Sequence, residues 1–206
     1  MKLNKILISI FFFSLLFINI YWINKARNFA ETNYYKEDQI GQLKNSLNSM
    51  NQSNELQYKI SNHFVNMNLE ITDEKGHLVK LNSIHNSNKT LLVVRYGAIS
   101  CQTCLNEYIN KLVEILPDTI VTNKIVFLAK YSNLQDLAQF KRIHKIKSYI
   151  FRMDNNITPI DSLNIPYFFI LKGDGEITFP YVPIISNEEL TRNYLTIIKH
   201  QYMRIN

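Results

Sequence analysis

Hydrophobic and polar positions divide the chain into three zones with different periods. Residues 6–23, ILISIFFFSLLFINIYWI, form an 18-residue apolar run whose only frankly polar members are Ser9, Ser14 and Asn19. That is long enough to cross a hydrocarbon layer as a helix. Tyr21 and Trp22 stand at its far end, where amphipathic rings favour the lipid–water boundary. A cleaved signal peptide is the competing reading, but its apolar core is usually about 7–15 residues with small residues before the cut. The stretch Ala26–Ala30 supplies no convincing small pair, and no cysteine follows the run to take a lipid. The expectation is an uncleaved anchor over residues 1–27. The slight excess of positive charge before the run keeps the N-terminus cytoplasmic and the body on the periplasmic or extracytoplasmic side of the inner membrane.

Residues 28–62 are polar and rich in Asn, Gln, Ser, Lys and Glu. Ile40, Leu43, Leu47 and Met50 recur at the 3-4-3 spacing of a coiled-coil seam, but two heptads fall short of a secure one and Gly41 interrupts it. A helical spacer is the expectation and a dimerising stalk the alternative.

From residue 63 to 206 the pattern is that of one α/β domain. Residues 65–71 alternate, Asp73–Gly76 turns the chain, and Leu78–Leu81 answers as the second arm of a hairpin. Thr90–Val94 is a continuous apolar run, the mark of a strand buried on both faces. Helical periods follow over 101–116, with Cys104, Leu105, Tyr108, Ile109, Leu112, Val113 and Leu116 on the apolar stripe, and over 132–146, capped by Ser132 with Leu134, Leu137, Phe140 and Ile143 inward. Between and after them, 124–131, 148–153, 167–171 and 176–181 read as strands. Gly173-Asp174-Gly175 makes a hairpin of the last two, and a helix opens at 186–189. Strands alternating with helices, plus a closing hairpin, predict a mixed sheet flanked by helices on both faces.

Composition narrows the function. The formal charge is +6, yet Lys2, Lys5, Lys25 and Arg27 supply four positive charges before any acid appears. The remainder carries an ordinary surface balance, which argues against a nucleic-acid footprint. Two cysteines cannot build a four-thiolate zinc site, and His63, His77, His85, His144 and His200 are scattered without ligand spacing, so no metal is expected. The basic run Lys141–Lys147 reads as a solvated helix face.

Chemistry concentrates at Ser100-Cys101-Gln102-Thr103-Cys104. A Cys-x-x-Cys at the junction of a buried strand and a helix is a strong redox spacing. The helix start offers free amides and a positive dipole end that favour a thiolate on Cys101. Cys104, one turn on, is spaced to attack a mixed disulfide on Cys101. A passive structural disulfide or a pair of reduced core thiols is the alternative, and closing so short a loop would gain little stability.

Leu69 through Cys104, with its hairpin, buried strand and Cys-x-x-Cys helix, resembles membrane-anchored thioredoxin-like proteins of the TlpA/ResA type. Ile165-Pro166 followed by Tyr167–Leu171 and Gly173–Ile177 is similar to that family's cis-proline loop and β-hairpin. The resemblance implies a thioredoxin-like fold, a cis Pro166 opposite the two sulfurs, and an Ile165 backbone that pairs with an extended substrate strand. It further implies a tethered thiol–disulfide oxidoreductase with Cys101 and Cys104 as catalytic pair. Such an enzyme acts on envelope protein thiols or disulfides, draws on an electron donor of unknown identity and needs no organic cofactor. The alternative is a non-catalytic module that holds a peptide or envelope partner in the cis-Pro groove. Three positions depart from the family pattern. Ser100 stands where a Trp is usual, Gln102-Thr103 replaces the usual dipeptide, and Arg95 occupies the place of a buried acid. Arg95 either favours thiolates or points outward as a strand-end charge, since burial decides its effect.

Overall fold

The computed structural model describes residues 2–85, 90–97, 102–131, 133–184 and 187–203, and the side chains of these apart from 2–12 and 102–104. The chain divides into two compact units, Met1–Asn48 and Ser49–Asn206.

The first unit is helical throughout its described length and forms the larger part of α1 (Lys2–Ile60). Its described apolar side chains, among them Phe13, Leu16, Phe17 and Trp22, are exposed, as are Ile40, Leu43 and Leu47 of the expected seam. The Lys25 ammonium lies 5.1 Å from the Trp22 ring centre and 5.9 Å from that of Tyr21. Among the described residues no helix is long and apolar enough to cross a membrane. The side chains of residues 6–12, the first part of the expected anchor, lie outside that description.

The second unit begins earlier than the expected boundary at residue 63. Ser53, Leu56 and Ile60 recur at helical spacing on the last turns of α1 and are buried. Leu56 and Ile60 join the core around Val65, Ile177 and Val182, and the Ser53 hydroxyl donates to the Val182 carbonyl at 2.7 Å. Those turns look polar in sequence because a single narrow face carries their packing. Asn62, at φ 62°, then stops the helix in the left-handed conformation that Asn tolerates.

Among the described residues seven strands form one mixed sheet in the order β2-β1-β5-β4-β3-β6-β7. They are β1 (Glu70–Asp73), β2 (Leu78–Lys80), β3 (Leu91–Gly97), β4 (Ile125–Lys130), β5 (Tyr149–Arg152), β6 (Tyr167–Leu171) and β7 (Ile177–Tyr181). The three central strands β3, β4 and β5 are parallel, and β1, β2, β6 and β7 extend both edges in antiparallel pairings. Alternation along β3 sorts its side chains. Leu92, Val94 and Tyr96 join one core with α3 (Gln102–Ile115), α4 (Asp118–Lys124), α5 (Leu134–Ile143) and α6 (Glu188–Gln201). Leu91 and Val93 join the other, with the end of α1, Leu81 of α2 (Leu81–Ile84) and the segment from Met153 to Ile160.

Several local expectations shift. The first arm of the leading hairpin forms only at Glu70, because residues 65–69 are spent in a turn and in a backbone bond from Val65 to Gly175. Pro117 both ends α3 and caps α4, a helix the periodicity did not show. Asn133 caps α5, accepting from the Asp136 amide at 2.8 Å, while Ser132 lies outside the described residues. Ile143 is exposed rather than inward. The inward place in that last turn is taken by His144, whose ring packs 4.4 Å from Phe140, and by Ile146 after the chain turns at Lys145 (φ 49°). Val113, at the margin of the α3 stripe, is half exposed.

Candidate functional site

β3 ends at Gly97 and α3 begins at Gln102, so the Cys-x-x-Cys segment joins a fully buried central strand to a 14-residue helix, as the sequence predicts. Cys104 falls in the first turn of α3. Ser100 and Cys101 lie outside the described residues, as does the Cys104 side chain. α3 is held to the sheet by Leu105, Tyr108, Ile109 and Leu112, all buried. Burial of the Tyr108 phenol, with like-charge pressure from Tyr181 and Glu107, pushes its pKa up to about 12. α3 therefore rests on an apolar base.

The second expected motif lies beside the end of β3. Antiparallel register sets Tyr167 of β6 opposite Arg95, and the residues just before β6 approach Gly97. Arg95, Tyr96, Gly97, Lys130, Asp161, Asn164 and Ile165 line one crevice of about 10 Å³. Thus the strand that feeds Cys101 and the segment that carries Ile165-Pro166 meet, although some seventy residues separate them. Ile165 and Pro166 are both half buried.

The Ile165–Pro166 bond is trans, which corrects the cis expectation; among the described residues no peptide bond is cis. A trans X-Pro bond is favoured by about 0.5–1 kcal/mol, so cis needs a local reason. Here the chain reverses one residue earlier. A 3₁₀ turn, Asp161–Leu163, ends at Asn164 in the left-handed conformation (φ 53°, ψ 31°), and the proline then enters β6 without isomerising.

Arg95 is not an outward strand-end charge. It is 1 % exposed and projects to the side of the sheet opposite α3. Its Nε donates to Asp161 Oδ1 at 2.9 Å, Nη1 to the Met153 carbonyl at 2.9 Å, and Nη2 to the Asn155 carbonyl at 3.0 Å. Asp161 is equally well satisfied. Oδ1 also accepts from the Tyr167 hydroxyl at 2.9 Å, and Oδ2 accepts from the amides of Ile157 and Thr158 at 2.6 and 3.2 Å. The Tyr167 hydroxyl lies 2.8 Å from Thr158 Oγ1. Burial first, and then the Asp161 charge, hold the Tyr167 phenol well above its usual pKa, so it remains a donor. Among the described residues this is the ion pair with both side chains buried, and its satisfied geometry is what lets two charges sit in an apolar layer.

Asp161, Thr158 and Tyr167 were missed from sequence. The available signal was Arg95 itself, a cation inside LLVVRYG, which obliges some distant carboxylate to meet it. Among the described residues no three His, Cys, Asp or Glu side chains converge on a metal position.

Comparison with known proteins places this geometry in a fold class. The thioredoxin domain of a thiol-disulfide oxidoreductase from Bacteroides vulgatus superposes with a TM-score of 0.51 at 14% identity, covering 70% of this chain and 99% of that one. A thiol:disulfide interchange protein from Bacteroides sp. gives 0.48 at 15% identity over 72% and 94% of the two chains. A putative thiol:disulfide interchange protein DsbE from Chlorobium tepidum gives 0.49 at 11% identity over 66% and 96%. No family model matches the chain, and no curated protein matches it. The fold is thioredoxin-like, with a mixed central sheet.

Proposed function

We propose that the protein is a membrane-tethered thiol–disulfide oxidoreductase acting on proteins of the cell envelope. The observation that carries this reading is the Cys-x-x-Cys placed where β3 gives way to α3 in a thioredoxin-like fold. In the reductive direction the Cys101 thiolate attacks one sulfur of a substrate disulfide and expels the other as a thiolate, which takes up a proton. Cys104, deprotonated, then attacks Cys101 Sγ and releases the second substrate sulfur. Two electrons pass to the substrate, and the enzyme is left with a Cys101–Cys104 disulfide. The oxidative direction is the reverse sequence, and the difference in reduction potential between the two dithiols sets which one runs. The sulfurs carry the electrons, so no organic cofactor is needed.

Cys101→Ser should abolish exchange with a peptide disulfide and with glutathione disulfide. In the reduced protein Cys101 should be alkylated by iodoacetamide before Cys104, at a pH below the free-thiol value of about 8.5. Equal labelling of both thiols only at high pH, with no exchange by the parent chain, would leave a passive pair and a binding module in place of an enzyme.

Tethering is supported by the apolar run 6–23 and by the Tyr21, Trp22 and Lys25 cluster at its end, an arrangement suited to a membrane interface. Protease added to spheroplasts should remove the domain while residues 1–27 stay with the membrane. A protected domain, or a mature N-terminus beyond residue 27, would overturn this part of the reading.

A further inference from the structure

We infer that α1 pairs with the α1 of a second copy of this chain, as a parallel, in-register coiled coil over residues 29–47, and that the protein is a dimer joined there. Dimerisation is independent of the exchange reading above.

Two features of the sequence stand against a seam, its shortness and Gly41, and the structure bears on both. α1 runs unbroken through Gly41 to Ile60. With Ile40 and Leu47 at heptad position a and Leu43 at d, Gly41 falls at b, on the outward side. A Cβ there would meet nothing within 4 Å, so the glycine does not interrupt the seam. The same register carries back through Asn33 at a to Phe29 at d, and between residues 28 and 52 every Phe, Ile, Leu and Met stands at a or d. Phe29, Ile40, Leu43 and Leu47 are 57 to 70 % exposed with the whole chain in place. Ser53, Leu56 and Ile60, which are buried with the domain, keep a different phase of the repeat, so its core does not use these positions.

The chemistry of the face selects a second copy as its occupant. Glu31, Lys36, Glu37, Asp38 and Lys44 within the span exclude the hydrocarbon layer. In a parallel pair each seam position meets its own counterpart. Ile40, Leu43 and Leu47 then bury one another, and Asn33 meets Asn33, a polar a-position pair of the kind that fixes register and strand number. Lys36, at d, lies beside position e of the other helix, where Glu37 offers the opposite charge. Flanking the seam, Thr32 and Gln39 at g face Glu37 and Lys44 at e, so no such contact brings like charges together. Asp38, at f, is engaged on the outward side, where Gln42 Nε2 donates to its Oδ2 at 2.8 Å. An antiparallel pair centred on Ile40 would instead set Asn33 against Leu47 and leave the amide without a partner.

The test uses the full-length chain purified in mild detergent. Light scattering, corrected for bound detergent, should give twice the mass of one chain. Ile40→Asp combined with Leu47→Asp should return a single chain's mass and leave the urea midpoint of the domain unchanged, because neither side chain belongs to a core. Register and direction are read by single cysteines added to a chain that carries Cys101→Ser and Cys104→Ser. Under mild oxidation Asn33→Cys and Leu47→Cys, both at a, should each give covalent dimer. Asp38→Cys and Asn45→Cys, both at f, should give little, since a disulfide needs Cα atoms within about 7 Å. Only parallel, in-register pairing joins both a positions. A single chain's mass for the parent, equal cross-linking at a and f, or covalent dimer at only one a position would overturn the inference. So would a dimer that survives the double substitution, which would place the pairing outside this span. None of these readouts passes through disulfide exchange, so either reading can fail alone.

Discussion

At the scale of single residues, the chemistry was legible wherever a residue type is rare or costly in its surroundings. The two cysteines at i and i+3 announce themselves, and Arg95 within an apolar run announces a buried partner, though not which one. Pro166 shows the opposite case. Its identity was plain, but the isomer depends on where the chain reverses, and Asn164 performs that reversal one residue earlier. His144 has no ligand spacing to another histidine; it caps the end of α5, where its ring packs against Phe140. Burial lowers its pKa below the ordinary histidine value. The folded state then binds fewer protons than the unfolded chain between the lowered and the ordinary pKa, so this group's contribution is full above about pH 6.5 and is lost as the pH falls through that window. Urea midpoints measured from pH 7.5 to 5 should fall toward acid, and His144→Gln should flatten the slope. An unchanged slope would mean that the ring leaves the Phe140 face before it is charged.

At the scale of elements, periodicity identified the strands and most helices, because a half-buried helix or an alternating strand writes its burial into its own sequence. Helix α4 is only seven residues long and follows α3 after Pro117, which stands as its N-cap, so its period is too short to show. The β6–β7 hairpin was legible from Gly173-Asp174-Gly175, but the need for its last glycine is tertiary as well as local. Gly175 adopts φ 91°, its carbonyl accepts from the Val65 amide at 2.8 Å, and a Cβ there would collide with the Val65 carbonyl oxygen. Gly175→Ala should destabilise the protein by about 1–3 kcal/mol in urea unfolding, the usual cost of a strained backbone position. Gly76, also at φ 91°, has only a loose neighbour in the Leu134 methyl at 3.5 Å. Its alanine variant should cost less, and equal losses at the two sites would remove the role assigned to Val65.

At the scale of the whole molecule, the compact unit starts at Ser49, inside what composition marks as spacer. A chain lacking residues 1–48 should unfold at the same urea midpoint as the parent domain. Removal through residue 62 should cost about 3 kcal/mol or more, because Leu56 and Ile60 leave the core. Equal midpoints for the two truncations would show that the last turns of α1 only rest on the domain. The sequence by itself determined the order of the strands and of most helices, the apolar run at the N-terminus and the Cys-x-x-Cys spacing at a strand–helix junction. Each of these is a local pattern: a period, a length or a spacing. Only the tertiary structure decided that a polar stretch of α1 completes a core, that Arg95 closes on Asp161, and that Gly97 gives room to Asn164. Those outcomes join residues far apart in the chain, and what makes each of them favourable is the removal of water and the fixed distance that packing imposes.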